Sequence, residues 1–131
     1  MRAKVLLYRL GEDGETGRAL REVLREQKLL TLSIAENQLR ETVGRIVSTN
    51  AAPVDAPAPD DAPRTEFMLL CALGGRQLDR LLAAMRRAGV VVPHKAVVTE
   101  ANRGWTLCKL IEEVSREHDA LCSSQSEAEP R

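Results

Sequence analysis

Residues 3–10 form an almost continuous apolar run, the pattern expected of a strand buried on both faces. From about 16 to 27, Leu20, Val23 and Leu24 recur at helical spacing, with Arg18, Arg21 and Arg25 on the opposite side. Leu30, Leu32 and Ile34 then alternate with Thr31 and Ser33, as in a half-exposed strand. A second helix is predicted over about 37–48, with Leu39, Val43, Ile46 and Val47 inward. Between Asn50 and Pro63 the chain turns to Ala, Pro and Asp. Pro53, Pro57, Pro59 and Pro63 exclude helix and strand pairing, which predicts a disordered or extended linker.

The same order then returns. Phe67–Leu73 reads as a second buried strand, ended by Gly74 and Gly75. A helix over about 76–88 carries Leu78, Leu81, Leu82 and Met85 on one side, and a short strand over about 95–99 follows Pro93. A last helix over about 105–118 presents Leu107, Leu110, Ile111 and Val114, and residues 119–131 read as a disordered tail.

The two stretches also match residue by residue. Val5–Gly11 resembles Met68–Gly74, and Thr42–Ile46 resembles Thr106–Leu110. The organisation is therefore a βαβα half over 1–48, a linker over 49–64, a second βαβα half over 65–118, and the tail. A two-stranded unit cannot cover its own apolar sheet, so the halves are expected to join as one α/β domain. That domain has one four-stranded sheet with helices packed on it. The all-apolar strands 1 and 3 belong at its centre and the weaker strands 2 and 4 at its edges, in the order 2-1-3-4 with right-handed crossovers inside each half. The pattern leaves open whether the halves run parallel or antiparallel; a twofold relation would make them antiparallel.

Composition narrows the function classes. With 19 basic and 19 acidic residues the formal net charge is zero, against a general polyanion binder. Residues 1–47 and 65–118 are each mildly basic, and the linker and tail acidic, a pattern that solvated surfaces also produce. Arg18, Arg21 and Arg25, with Arg76, Arg80 and Arg87 on the third helix, form arginine stripes. Only Tyr8, Phe67 and Trp105 are aromatic, which leaves nucleic-acid binding with little support. Arg2 and Lys4 precede an apolar run too short for a signal peptide, and nothing approaches membrane-spanning length. Cys71, Cys108 and Cys122 are odd in number and unclustered, which suits a reducing cytoplasm.

Candidate chemistry concentrates after strands 2 and 4. Lys95 to Thr106 runs from the last strand into the last helix and holds Thr99, Glu100, Asn102 and the single tryptophan, Trp105. Its counterpart is Ala35–Gln38, which matches Glu36 to Glu100 and Gln38 to Asn102. Two such loops could line a shared polar ligand site, with Lys95 as an amine beside it. Against this, Asn37, Asn102 or Thr106 would cap a helix, Trp105 would pack on the core, and Lys95 would guard a sheet edge. His94 and His118 have no metal-ligand spacing, and His118 suits a helix C-terminus as a dipole partner. Gly11, Gly14 and Gly17 fit no phosphate loop and read as turn residues. No catalytic motif, metal site or cofactor is expected.

The string Lys95-Ala-Val-Val-Thr-Glu-Ala-Asn-Arg-Gly-Trp-Thr106, followed by Leu110-Ile-Glu-Glu-Val-Ser-Arg-Glu-His118, resembles the bacterial family called domain of unknown function 3783. The likeness covers about residues 66–118, and the first half only loosely. Glu100 and Ala101 depart from the proline-containing variant expected there. The resemblance implies a small bacterial protein and carries over no activity, cofactor or site. The expected function is thus a cytoplasmic, non-enzymatic binding or regulatory module that self-associates or takes a protein partner, away from membranes. The alternative is a small-molecule or enzymatic site at the paired loops.

Overall fold

Both all-apolar segments lie at the centre of one sheet. In this computed structural model, which describes residues 2–128 and the side chains of residues 2–117, β1 (Lys4–Tyr8) and β3 (Phe67–Cys71) are buried at every position. The other elements are α1 (Glu15–Glu26), β2 (Leu30–Ile34), a 3-10 turn (Glu36–Gln38), α2 (Val43–Ser48), α3 (Gly75–Ala88), β4 (Lys95–Val97) and α4 (Leu107–Ala128). The four strands form one sheet in the order β2-β1-β3-β4, as the apolar pattern predicts. β1 pairs parallel with β2 and β3 parallel with β4, while β1 and β3 pair antiparallel. The two halves therefore run in opposite directions, a point the pattern left open.

Alternate residues of the central strands feed two cores, because neighbouring side chains in a strand point to opposite faces. Val5, Leu7, Met68 and Leu70 pack with α1 and α3; Leu6, Tyr8, Phe67 and Leu69 pack with α2 and α4. The sheet is thus covered on both sides, which is why its central strands carry no alternation.

The join between the halves is reciprocal. Leu6 lies opposite Leu69 at the middle of the β1–β3 ladder. Beyond the sheet, Thr42 and Thr106 form an isolated antiparallel bridge. Around that bridge the Val43 amide donates to Trp105 O at 2.9 Å and the Leu107 amide to Glu41 O at 3.0 Å. The Gly44 amide donates to Arg103 O and the Cys108 amide to Leu39 O, both at 2.9 Å. Each bond has a partner with the halves exchanged, the arrangement an approximate twofold axis imposes.

Several boundaries differ from the pattern. The second helix was expected from about 37, but only Glu36–Gln38 and Val43–Ser48 are helical. Thr42 is extended (φ −71, ψ 151), bridges to Thr106 and accepts the Arg45 amide as N-cap, so the pairing between the halves interrupts the helix. β4 ends at Val97, and α4 continues to Ala128, into the segment that composition assigns to a tail. His118 thus stands within a helix and not at its end; its side chain, that of Cys122 and residues 129–131 lie outside the described residues. The linker has neither helix nor strand and is tied down at Val54 O by Asn37 Nδ2 (2.9 Å) and at Pro63 O by the Tyr8 hydroxyl (2.7 Å).

Gly17 lies inside α1 and is buried, where the sequence suggested a turn. A β-carbon there would meet Gly11 O at 2.1 Å and the Leu10 carbonyl carbon at 2.7 Å. Glycine lets the first turn of α1 press against the loop that precedes it.

Candidate functional site

The loops after β2 and β4 are built alike. Gln38, buried, accepts the Ala35 amide on Oε1 at 2.9 Å, and its Nε2 donates to Ala52 O at 2.8 Å. Asn102, also buried, accepts the Thr99 amide on Oδ1 at 2.9 Å, and its Nδ2 donates to Val97 O at 3.0 Å. The Thr99 hydroxyl accepts the Asn102 amide in return, at 3.2 Å. Both amide side chains brace the loops that carry them. The match read between Gln38 and Asn102 is thus a match of bracing roles.

The acids are placed differently. Glu36 is ion-paired with Arg9, whose guanidinium also lies 5.6 Å from the Tyr8 ring centre and bonds to Pro63 O at 3.0 Å. The Arg9 pKa is raised, most by its hydrogen bond to Tyr8, against desolvation that lowers it; the Tyr8 and Glu36 charges add to the rise. Ala72 takes the backbone place of Arg9 after β3, with φ 62 against 60 for Arg9. Glu100 consequently has no counterpart to that arginine, and it is exposed without an ion pair among the described residues.

Lys95 is exposed and donates back to Val92 O at 3.0 Å. Trp105 is half-buried, with Lys109 Nζ 4.8 Å above its ring. Among the described residues, no hydrogen bond joins Glu36 or Gln38 to Lys95, Thr99, Glu100, Asn102 or Trp105. The loops meet through backbone groups at Thr42 and Thr106. Near that seam the Cys108 thiol donates to Glu112 Oε1 at 3.4 Å; burial first, then Glu112, push its pKa up to about 11, which keeps it protonated.

Two features escaped the sequence. Lys4 is 5 % exposed, and its ammonium donates to Val47 O at 2.5 Å and Asn50 Oδ1 at 2.6 Å at the end of α2. Only the topology puts α2 over the start of β1. The other lies beside β4, the edge of the sheet. Val91 (74 % exposed) and Val97 (43 %) are the large hydrophobics that stand out to solvent among the described residues. Two adjoining, mostly apolar hollows flank them, one of about 190 Å³ lined by Leu70, Leu78, Leu82 and Ala96, the other of about 330 Å³ lined by Met85, Arg86, Val90 and Val92; Lys95 lies on the rim of both. Exposed apolar runs in the sequence carried no mark of this, because Val91 sits among equally apolar buried neighbours.

Among the described residues, no group of three His, Cys, Asp or Glu is placed to hold a metal ion, and no helix is long and apolar enough to cross a membrane. The class is an α/β protein with an open four-stranded sheet, helices on both faces and an apolar edge. The family model described as a domain of unknown function, DUF3783, matches residues 66–121. Neither a curated protein nor a solved structure gives a significant match to the chain.

Proposed function

We propose that the protein is a non-enzymatic binding module that associates with a second copy of itself along β4. The observation that carries this reading is the exposed Val91 and Val97 beside the apolar hollows of the sheet edge. An antiparallel pair of β4 strands centred on Ala96 would extend the sheet across two chains. Lys95 would then face Val97 of the other copy, so the two lysines would not oppose each other. Lys95 also folds back on Val92 O, which weakens its power to guard the edge. The engagement of Gln38, Asn102 and Glu36 in loop bracing favours binding over catalysis. A bacterial cytoplasmic setting fits the unclustered cysteines.

We infer further that the halves descend from one βαβα unit, supported by the exchanged hydrogen bonds about Thr42 and Thr106. Sedimentation at micromolar concentration tests the binding reading. The protein should associate as concentration rises, and Val97→Lys should abolish this while leaving the circular dichroism unchanged. A wild-type chain that stays monomeric throughout removes self-association.

A further inference from the structure

The groove between α1 and the outer edge of β2 corresponds in place to the hollow between α3 and β4, but it carries more charge. It has a volume of about 490 Å³ and is lined by Arg2, Glu12, Arg21, Arg25, Lys28 and Thr31 over a floor that includes Leu29 and Leu30. Four cations thus face one carboxylate, in a chain whose formal charges balance.

The fold does not call for these charges. The strand registers make Thr31 equivalent to Lys95 and Ser33 to Val97, since they pair with Val5 and Met68, and with Leu7 and Leu70. On the second half the same groove is walled by Leu70, Leu78, Leu82, Ala96 and Val97, with Lys95 its single cation. Lys28 makes the point at the backbone. It follows α1 with φ 58, its amide donating to Arg25 O and the Leu29 amide to Leu24 O, both at 3.0 Å. Gly89 follows α3 with φ 71 and the same pair of bonds, to Arg86 O and Met85 O. The left-handed position that holds glycine after α3 holds a lysine after α1, beside the basic groove. Backbone strain of this kind persists at functional sites more readily than elsewhere.

Arg21 is positioned in advance. Its Nε donates to Leu10 O at 3.1 Å and one terminal nitrogen to Ser33 Oγ at 2.8 Å, which fixes the guanidinium plane at the groove. Arg25 is tied only to Glu22, in an exposed pair that a stronger anion would replace.

We propose that this groove binds a compact polyanion, a chain of two or more linked phosphates, through Arg2, Arg21, Arg25 and Lys28. Guanidinium groups suit phosphate oxygens because they offer paired donors in a plane. No aromatic side chain lines the groove, so it reads charge and not a base. The proposal stands apart from association at β4, on the opposite edge of the sheet.

The test uses the full-length protein and inorganic tripolyphosphate at low salt, followed by amide NMR shifts. Saturable shifts at Lys28 and Thr31 are expected, with sulfate at matched ionic strength producing none that saturate. Lys28→Gly should weaken binding about tenfold, the loss of one charge-assisted contact. That variant should also unfold at a higher temperature, because glycine relieves the left-handed position, so lost binding cannot be ascribed to misfolding. Arg76→Ala, on the exposed face of α3, should leave binding unchanged. The proposal fails if tripolyphosphate gives no saturable shift, if Arg76→Ala weakens binding as much as Lys28→Gly, or if only duplex DNA binds.

Discussion

Lys4 is a buried lysine without a carboxylate partner among the described residues. The Lys4 stem lies among apolar neighbours, while its ammonium satisfies Val47 O at the C-terminal end of α2, where the helix dipole favours a cation. Lys4→Ala removes the stem and both Lys4 bonds, leaving Val47 O with only the long bond from the Asn50 amide, and should lower stability by about 3 kcal/mol. Lys4→Met keeps most of the volume and should lose about half as much, as read from urea midpoints at constant slope. A smaller loss for Ala than for Met would contradict the packing of the stem. The sequence showed this lysine only as a charge near the N-terminus, since the partner carbonyl is 43 positions away. Gln38 and Asn102 were more legible, because the repeat aligned them and, apart from the Gln38 bond to Ala52 O, their bonds are local. What the alignment did not reveal is that their amides serve the loops themselves.

At the scale of elements, the helical stripes were readable because a helix of this kind must turn one apolar face to the sheet. Leu20, Val23 and Leu24 of α1, and Leu81 and Met85 of α3, are buried as their spacing requires. Seating depth is another matter. α1 begins in contact with its preceding loop at Gly17, whereas nothing lies within 4 Å of a β-carbon placed on Gly75 at the start of α3. Gly17→Ala should therefore cost about 3 kcal/mol or more through forced backbone movement, despite the better helix propensity of alanine. Gly75→Ala should be neutral or stabilising by up to about 1 kcal/mol. Thermal unfolding of the two variants checks the contrast, and similar melting points would refute it. The shortened α2 was only partly legible: threonine is a residue type that caps helices, as Thr42 does, but its strand-like backbone is held by pairing with Thr106, far along the chain.

For the whole molecule, the central ladder of β1 and β3 makes each half part of the other's core. Leu6 and Leu69 are both fully buried and lie opposite each other at its midpoint. Truncating Leu6 to Ala should lower stability by about 3 kcal/mol. Because the cores are shared, the effect should appear equally in Trp105 fluorescence, which reports on the second half, and in far-ultraviolet circular dichroism. Separate transitions for the two probes, with only one displaced by Leu6→Ala, would show that the halves fold independently. The DUF3783 match covers the second half, yet β3 in that half has one neighbour, β4, until β1 supplies the other.

Strand order and the helical faces were set by residue pattern, since apolar periodicity records which side of an element meets the core, and that record is local. The opposed directions of the halves, the burial of Lys4, the tight seat of α1 at Gly17 and the contrasting grooves at the two sheet edges were decided by tertiary structure alone. Each arises from groups far apart in the chain, and no spacing of neighbouring residues encodes the distance between them.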